Sequence, residues 1–196
     1  MPRPSLKDQR SGQILDAYLT CVARFGLEGA TQERIAAEAG VKRPLLRHYL
    51  GNREDMIAAL ATHVIAAFAE VTEALEAHFA ATGTPAELID ALFASGDGHD
   101  PRLMLAWQAL ATAAQNDPDL SRKLTQSYAE FLAVIETVLA RAHPGAPPDR
   151  IRAAAHGITA CIQTIDALEP IAPPATWRTD LKAAALTLAT CLGGQT

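Results

Sequence analysis

The chain has 196 residues, of which 49% are hydrophobic and 20% charged, so it can bury a core of one or two domains. Its first ten residues are polar, no stretch offers the roughly 20 uninterrupted apolar residues that span a bilayer, and Cys21, Cys161 and Cys191 are odd in number and far apart, so the composition argues against a signal peptide, a membrane span, a disulfide framework and a structural zinc site. The net charge of −5 is unevenly divided: residues 1–53 hold nine basic and five acidic side chains (+4), residues 54–196 eight and seventeen (−9).

The first predicted helix is capped by Ser5 with Asp8 and carries an apolar stripe of Ile14, Tyr18, Val22 and Phe25. Lys7 and Arg10, on the same N-terminal arm, are candidate phosphate contacts. The next stretch, TQERIAAEAGVKRPLLRHYLGNRED from Thr31 to Asp55, reads as two short helices and a tight turn. Ile35, Ala36 and Ala39 share one face of the first helix, and Gly40 supplies a residue free to enter a left-handed turn. Val41, Leu45, Leu46 and Tyr49 begin the apolar stripe of the second helix, while Lys42, Arg43, Arg47 and His48 make its other face basic. Such a face suits the major groove of double-stranded DNA, although a solvated helical hairpin has the same local pattern. Pro44 belongs to the first turn, where its missing N–H has no intrahelical partner to lose.

Thr31, Ile35-Ala36, Ala39-Gly40-Val41, Tyr49-Leu50 and Arg53-Glu54 follow one another in the order that marks the DNA-binding domain of the TetR family of transcriptional repressors, which the chain resembles over essentially its whole length. Where many members have Gly-Thr-Leu-Tyr in the second helix, this chain has Pro44-Leu45-Leu46-Arg47, so the resemblance does not carry over the base-reading side chains. It implies an all-α protein of about nine helices, with a helix-turn-helix domain over residues 1–52 and an effector-binding and dimerisation domain over 53–196. The residues expected at DNA are Lys42, Arg43, Arg47 and His48 in the groove, Leu45 against a thymine methyl, and Thr31, Gln32, Tyr49 and Arg53 at phosphates. Tyr49 fits a core position equally well.

Asn52 with Asp55 caps a long fourth helix whose stripe is Met56, Leu60, Val64, Phe68, Val71, Leu75 and Phe79. Further starts are Thr84-Pro85-Ala86-Glu87, a capping box, then Asp100-Pro101 and Asp117-Pro118, the last leading into a stripe of Leu120, Leu124, Tyr128, Phe131, Ile135 and Val138. Phe68, Phe93, Met104, Trp107, Gln108, Tyr128 and Phe131 are candidates to line an effector site, with Trp107 and Gln108 the preferred pair; core packing is their alternative use.

Two final helices are expected from about Asp149 to Glu169 and from about Ala175 to Leu192. The first has a stripe of Ile151, Ala155, Ile158, Ile162 and Ile165 beside a strip of small residues, Ala153, Gly157, Ala160 and Thr164. The second presents Trp177, Leu181, Ala184, Leu188 and Cys191. Packing within one chain accounts for this pattern; the family resemblance implies instead a homodimer joined by these two helices, binding a pseudo-palindromic operator and released by a small-molecule effector. The scattered histidines have no metal-ligand spacing, and no nucleophile elbow, phosphate loop, dinucleotide fingerprint or His-Glu-x-x-His is present, so no enzyme activity, cofactor or metal is expected. The rival to a DNA-binding regulator is a helical protein-protein interaction module. Cytoplasm is the expected location.

Overall fold

A computed structural model describes residues 6–94 and 100–192, with side chains from Arg10 onward; Ser5, Asp8 and Lys7 of the expected cap and arm lie outside the described side chains. Among the described residues the regular structure is helical: α1 (Leu6–Gly29), α2 (Gln32–Glu38), α3 (Arg43–Leu50), α4 (Arg53–Phe79), α5 (Pro85–Leu92), α6 (Pro101–Ala113), α7 (Pro118–Ala142), α8 (Pro148–Leu168) and α9 (Ala175–Thr190). Contacts divide the chain into two compact units, one of residues 1–67 and 102–124, the other of residues 68–101 and 125–196.

Caps set the helix starts. Asn52 and Asp55 exchange bonds: the Asp55 N–H donates to Asn52 Oδ1 at 2.9 Å and the Asn52 N–H to Asp55 Oδ2 at 3.0 Å. Thr84 and Glu87 do the same at 2.9 and 3.2 Å, and the Asp117 carboxylate accepts from the N–H groups of Asp119 and Leu120. Each satisfies donors that a helix N-terminus otherwise leaves open.

In the first unit Ile14, Tyr18 and Val22 of α1 are buried as the spacing predicts, together with Ile35, Leu46, Leu60 and Val64. Phe25 is not: it is 45% exposed. The helical course of α1 breaks at Gly26 (φ 68°), and Phe25, beside the break, lies under the guanidinium groups of Arg34 and Arg24, 4.6 and 5.3 Å from its ring centre. The start of α6 is tied to the middle of α1, Arg102 donating to Thr20 Oγ1 at 2.7 Å and to Asp16 Oδ1 at 2.9 Å.

The stripe of α4 also departs from expectation in one place. Val71 is 42% exposed and Thr72 is buried; the Thr72 hydroxyl donates to the Phe68 carbonyl at 2.9 Å, so a polar residue enters the core with its hydrogen bond made. By length and composition α4 can cross a membrane, its most apolar window having a mean hydropathy of 1.4. Thr62 and His63 interrupt its apolar run, so the stretch of about 20 uninterrupted apolar residues that the sequence lacks is not supplied here either. Its two ends carry Arg53, Glu54, Asp55, Glu70, Glu73 and Glu76 on exposed positions, as an amphipathic helix requires.

The second unit has a continuous core in which Leu75 and Phe79 of α4, Leu88 and Ile89 of α5, and Ile135, Val138 and Leu139 of α7 meet Ile151, Ala155 and Ile158 of α8 and Ala185 and Ala189 of α9. Ile151, Ala155, Ile158 and Ile165 are at most 7% exposed, and Ile162 packs against the same core. This stripe, expected at a dimer interface, packs against its own chain. Helices α8 and α9 approach closely at Gly157, where a Cβ would stand 2.7 Å from Leu188 Cδ1.

Candidate nucleic-acid interface

The α2-turn-α3 motif is assembled from the local signals that name it. Thr31 caps α2, its hydroxyl accepting from the Arg34 N–H at 3.3 Å. Gly40 turns the chain with φ 62°, a region most side chains avoid, and the Val41 N–H returns to the Ala36 carbonyl at 2.9 Å. Helix α3 begins at Arg43 with Pro44 in its first turn. It is fixed from below by Leu46 and Leu50, which are buried at 0% and 7%.

Burial of those two leucines decides which side chains face outward. Lys42, Arg43, Leu45, Arg47 and His48 are exposed and Tyr49 is half-buried. Leu45, assigned by spacing both to an apolar stripe and to a thymine methyl, is 38% exposed, so it is Leu50 that joins Leu46 inside. The Tyr49 ring meets His48 edge-on, centres 5.3 Å apart.

The four cations differ in their partners. Among the described residues Lys42 and Arg47 make no side-chain hydrogen bond or ion pair. Arg43 is engaged twice, by Glu33 Oε1 at 2.5 Å and by Gln32 Oε1 at 3.1 Å. Gln32 reaches on to the buried Met56, its Nε2 lying 3.9 Å from the sulfur. Arg53 donates to Glu28 Oε1 at 2.7 Å and to the Leu27 carbonyl at 3.4 Å, tying the start of α4 to the end of α1. Glu33, absent from the residues singled out by sequence, was signalled by its place two residues after the cap, in the first turn of α2 beside Gln32.

The other candidate residues are divided between the two units. Phe93 belongs to the core of the second unit, against which Tyr128 and Phe131 are partly buried, and Phe68 is half-buried in that unit. Met104, Trp107 and Gln108 fall in the first unit. Met104 is buried, Trp107 half-buried and Gln108 exposed, so the preferred pair does not share one environment. Of the residues singled out on α8 and α9, Ala153, Ala160, Thr164, Trp177, Ala184 and Leu188 are exposed, and Gly157 and Leu181 are half-buried.

Known proteins agree with this architecture. Residues 14–60 match the family model for bacterial regulatory proteins of the tetR family, and residues 81–163 that for the C-terminal part of BetI-type transcriptional repressors. An HTH-type transcriptional regulator BetI from Brucella anthropi is 30% identical over 135 residues, covering 67% of this chain and 68% of that protein. The chain belongs to the TetR family of transcriptional regulators. A second BetI regulator, from Burkholderia thailandensis, is 26% identical over 165 residues, covering 83% of this chain and 82% of its own. A TetR-family regulator of Cytophaga hutchinsonii shares the fold over 100% of both chains with a TM-score of 0.70 at 14% identity. TetR-family members are DNA-binding regulators, not enzymes, and the BetI-type match places this one among repressors.

Proposed function

We propose that this TetR-family regulator acts in the cytoplasm as a homodimer, that its two α3 helices enter successive major grooves of a pseudo-palindromic operator, and that a small molecule releases it. The observation that carries the DNA reading is the outward face of α3. Two cations with no partner among the described residues, Lys42 at the N-cap and Arg47, flank the exposed Leu45 of a helix whose opposite side is buried through Leu46 and Leu50. Arg47 presents a planar fork suited to guanine, Lys42 a point charge suited to phosphate, and Leu45 an apolar end suited to a thymine methyl. Thr31, Gln32, Tyr49 and Arg53 border this face and orient the motif on the backbone.

The homodimer rests on α8 and α9. With the isoleucine stripe consumed by the core, the surface left for a partner is the strip of Ala153, Ala160 and Thr164 beside Trp177, Ala184 and Leu188, where small side chains allow close helix approach. For release, the division of roles is a DNA-reading part over residues 1–52 and a responding part over 53–196. Helix α4 contributes to both contact units, so an effector bound beside Tyr128 and Phe131 alters DNA affinity by favouring one placement of that helix. A hundredfold loss of operator affinity needs only about 2.7 kcal/mol of coupling.

The test is titration of the protein against duplex from its own promoter region at several salt concentrations, with random duplex as competitor. The complex should survive the competitor and weaken steeply with salt, by about 0.9 in the logarithmic slope for each phosphate neutralised. Arg47→Ala should relax preference at one operator position at a cost of about 1–3 kcal/mol. Absence of any duplex binding overturns the proposal and leaves a helical interaction module.

A further inference from the structure

We infer that Glu33 is an internal phosphate mimic: it holds Arg43 in the free protein, and DNA engages that guanidinium only by displacing the Glu33 carboxylate. The inference rests on the reading that the α3 face meets DNA.

Glu33 is the acidic side chain found against a cation of that face. Its Oε1 stands 2.5 Å from Arg43 Nη1, with both side chains 61% exposed, so the pair lies at the surface where a phosphate would approach. Gln32 fixes the geometry from the other side by accepting from Arg43 Nε at 3.1 Å, and Gln32 is held against the buried Met56. Two of the three guanidinium nitrogens are thus engaged by α2, and Arg43 begins α3 in a position set by the preceding helix.

Lys42 and Arg47, on the same face, have no such partner among the described residues. Glu38, the other carboxylate of α2, is paired elsewhere, 4.0 Å from Arg24.

The consequence is a selective reduction of one kind of binding. Attraction to DNA of arbitrary sequence is nearly all phosphate contact accompanied by counterion release. A cation already neutralised by a carboxylate releases no counterion and adds nothing to that attraction until the internal pair opens. An exposed ion pair is weak, and phosphate can replace it. Glu33 therefore lowers the affinity for arbitrary duplex without removing Arg43 from the reach of a site that holds α3 in place.

Glu33→Gln keeps the side-chain length and removes the charge. Affinity for random duplex should rise roughly twofold to fivefold, the range expected from an exposed pair, and the logarithmic salt slope should steepen by about 0.9, one further phosphate. Both effects should vanish in an Arg43→Ala background, and Glu38→Gln, which removes an equal charge away from Arg43, should leave random-duplex affinity unchanged. Weaker or unchanged binding by Glu33→Gln overturns the inference. So does an equal gain in the Arg43→Ala background or in Glu38→Gln, because general repulsion then suffices. Failure of the wild-type chain to bind any duplex overturns the DNA reading as well, whereas wild-type binding with an unresponsive Glu33→Gln overturns this inference alone.

Discussion

Arg43 and Arg47 stand one turn apart on α3, yet the structure commits the first to Glu33 and Gln32 and gives the second no partner among the described residues. Sequence spacing assigns both to the same basic face, because helical periodicity reports direction and carries no information about a neighbouring helix. Arg53 is a similar case: its place in the family motif marks it for phosphate, and its bond to Glu28 shows that it also fastens α4 to α1. Tyr18 illustrates the opposite, a residue whose burial was legible and whose consequence is chemical. It is 3% exposed, and burial, with the nearby Arg53 opposing and Glu28 adding a little, pushes its phenol up from 10.0 to about 12. An acid whose pKa is raised on folding stabilises the fold below its unfolded pKa and loses that contribution as pH climbs through the folded one. Stability should therefore fall between about pH 10 and 12 by roughly 2–3 kcal/mol from this group. Denaturant unfolding at pH 9 and about pH 11.5 checks it: Tyr18→Phe should show a smaller pH-dependent loss than the wild-type chain, and equal losses would count against the assignment.

At the scale of elements, helix starts were readable and helix ends less so. Asn52 with Asp55 and Thr84 with Glu87 are capping boxes because the partners are three residues apart, a distance visible in one dimension. The bonds from the Thr84 N–H and hydroxyl hold the Glu87 carboxyl below its ordinary pKa. The C-terminus of α4 is satisfied instead by Arg141, far along the chain in α7, whose guanidinium donates to the Phe79 carbonyl at 3.0 Å and also to the carbonyls of Ala80 and Gly83. A cation at the negative end of a helix, bonded to its open carbonyls, stabilises it. Arg141→Ala should cost about 1–2 kcal/mol, lowering Tm by about 2–4 °C per kcal/mol for a chain of this size; Arg141→Lys should recover only part, because one ammonium does not reproduce the planar fork. Calorimetry of the three proteins decides this, and an unchanged Tm for Arg141→Ala would show that water serves those carbonyls as well. Two stripe positions failed for related reasons: Phe25 because α1 breaks at Gly26, and Val71 because Thr72 finds its hydrogen-bond acceptor one turn back.

For the molecule as a whole, the proposed dimer makes the sharpest demand on the structure. Ala184 is exposed on α9, so Ala184→Glu should leave the monomer's helicity and core intact while opposing close approach of a second copy. Sedimentation should show the wild-type chain as a dimer and Ala184→Glu shifted to monomer, with operator affinity falling because two half-sites no longer act together; a variant that remains dimeric would place the interface elsewhere. The all-α class, the nine α-helices of the described residues, the turn at Gly40 and the TetR family were determined by the sequence alone. Each rests on local relations, periodicity over a few turns, caps three residues away and a glycine where φ is positive, that a linear string contains. Tertiary structure alone decided that the isoleucine stripe of α8 packs into the core while Ala153, Ala160 and Thr164 stay exposed, that Glu33 takes hold of Arg43, and that Arg141 closes α4. These depend on which surfaces meet after the chain has folded, and an amphipathic helix records that it has a buried face without recording what buries it.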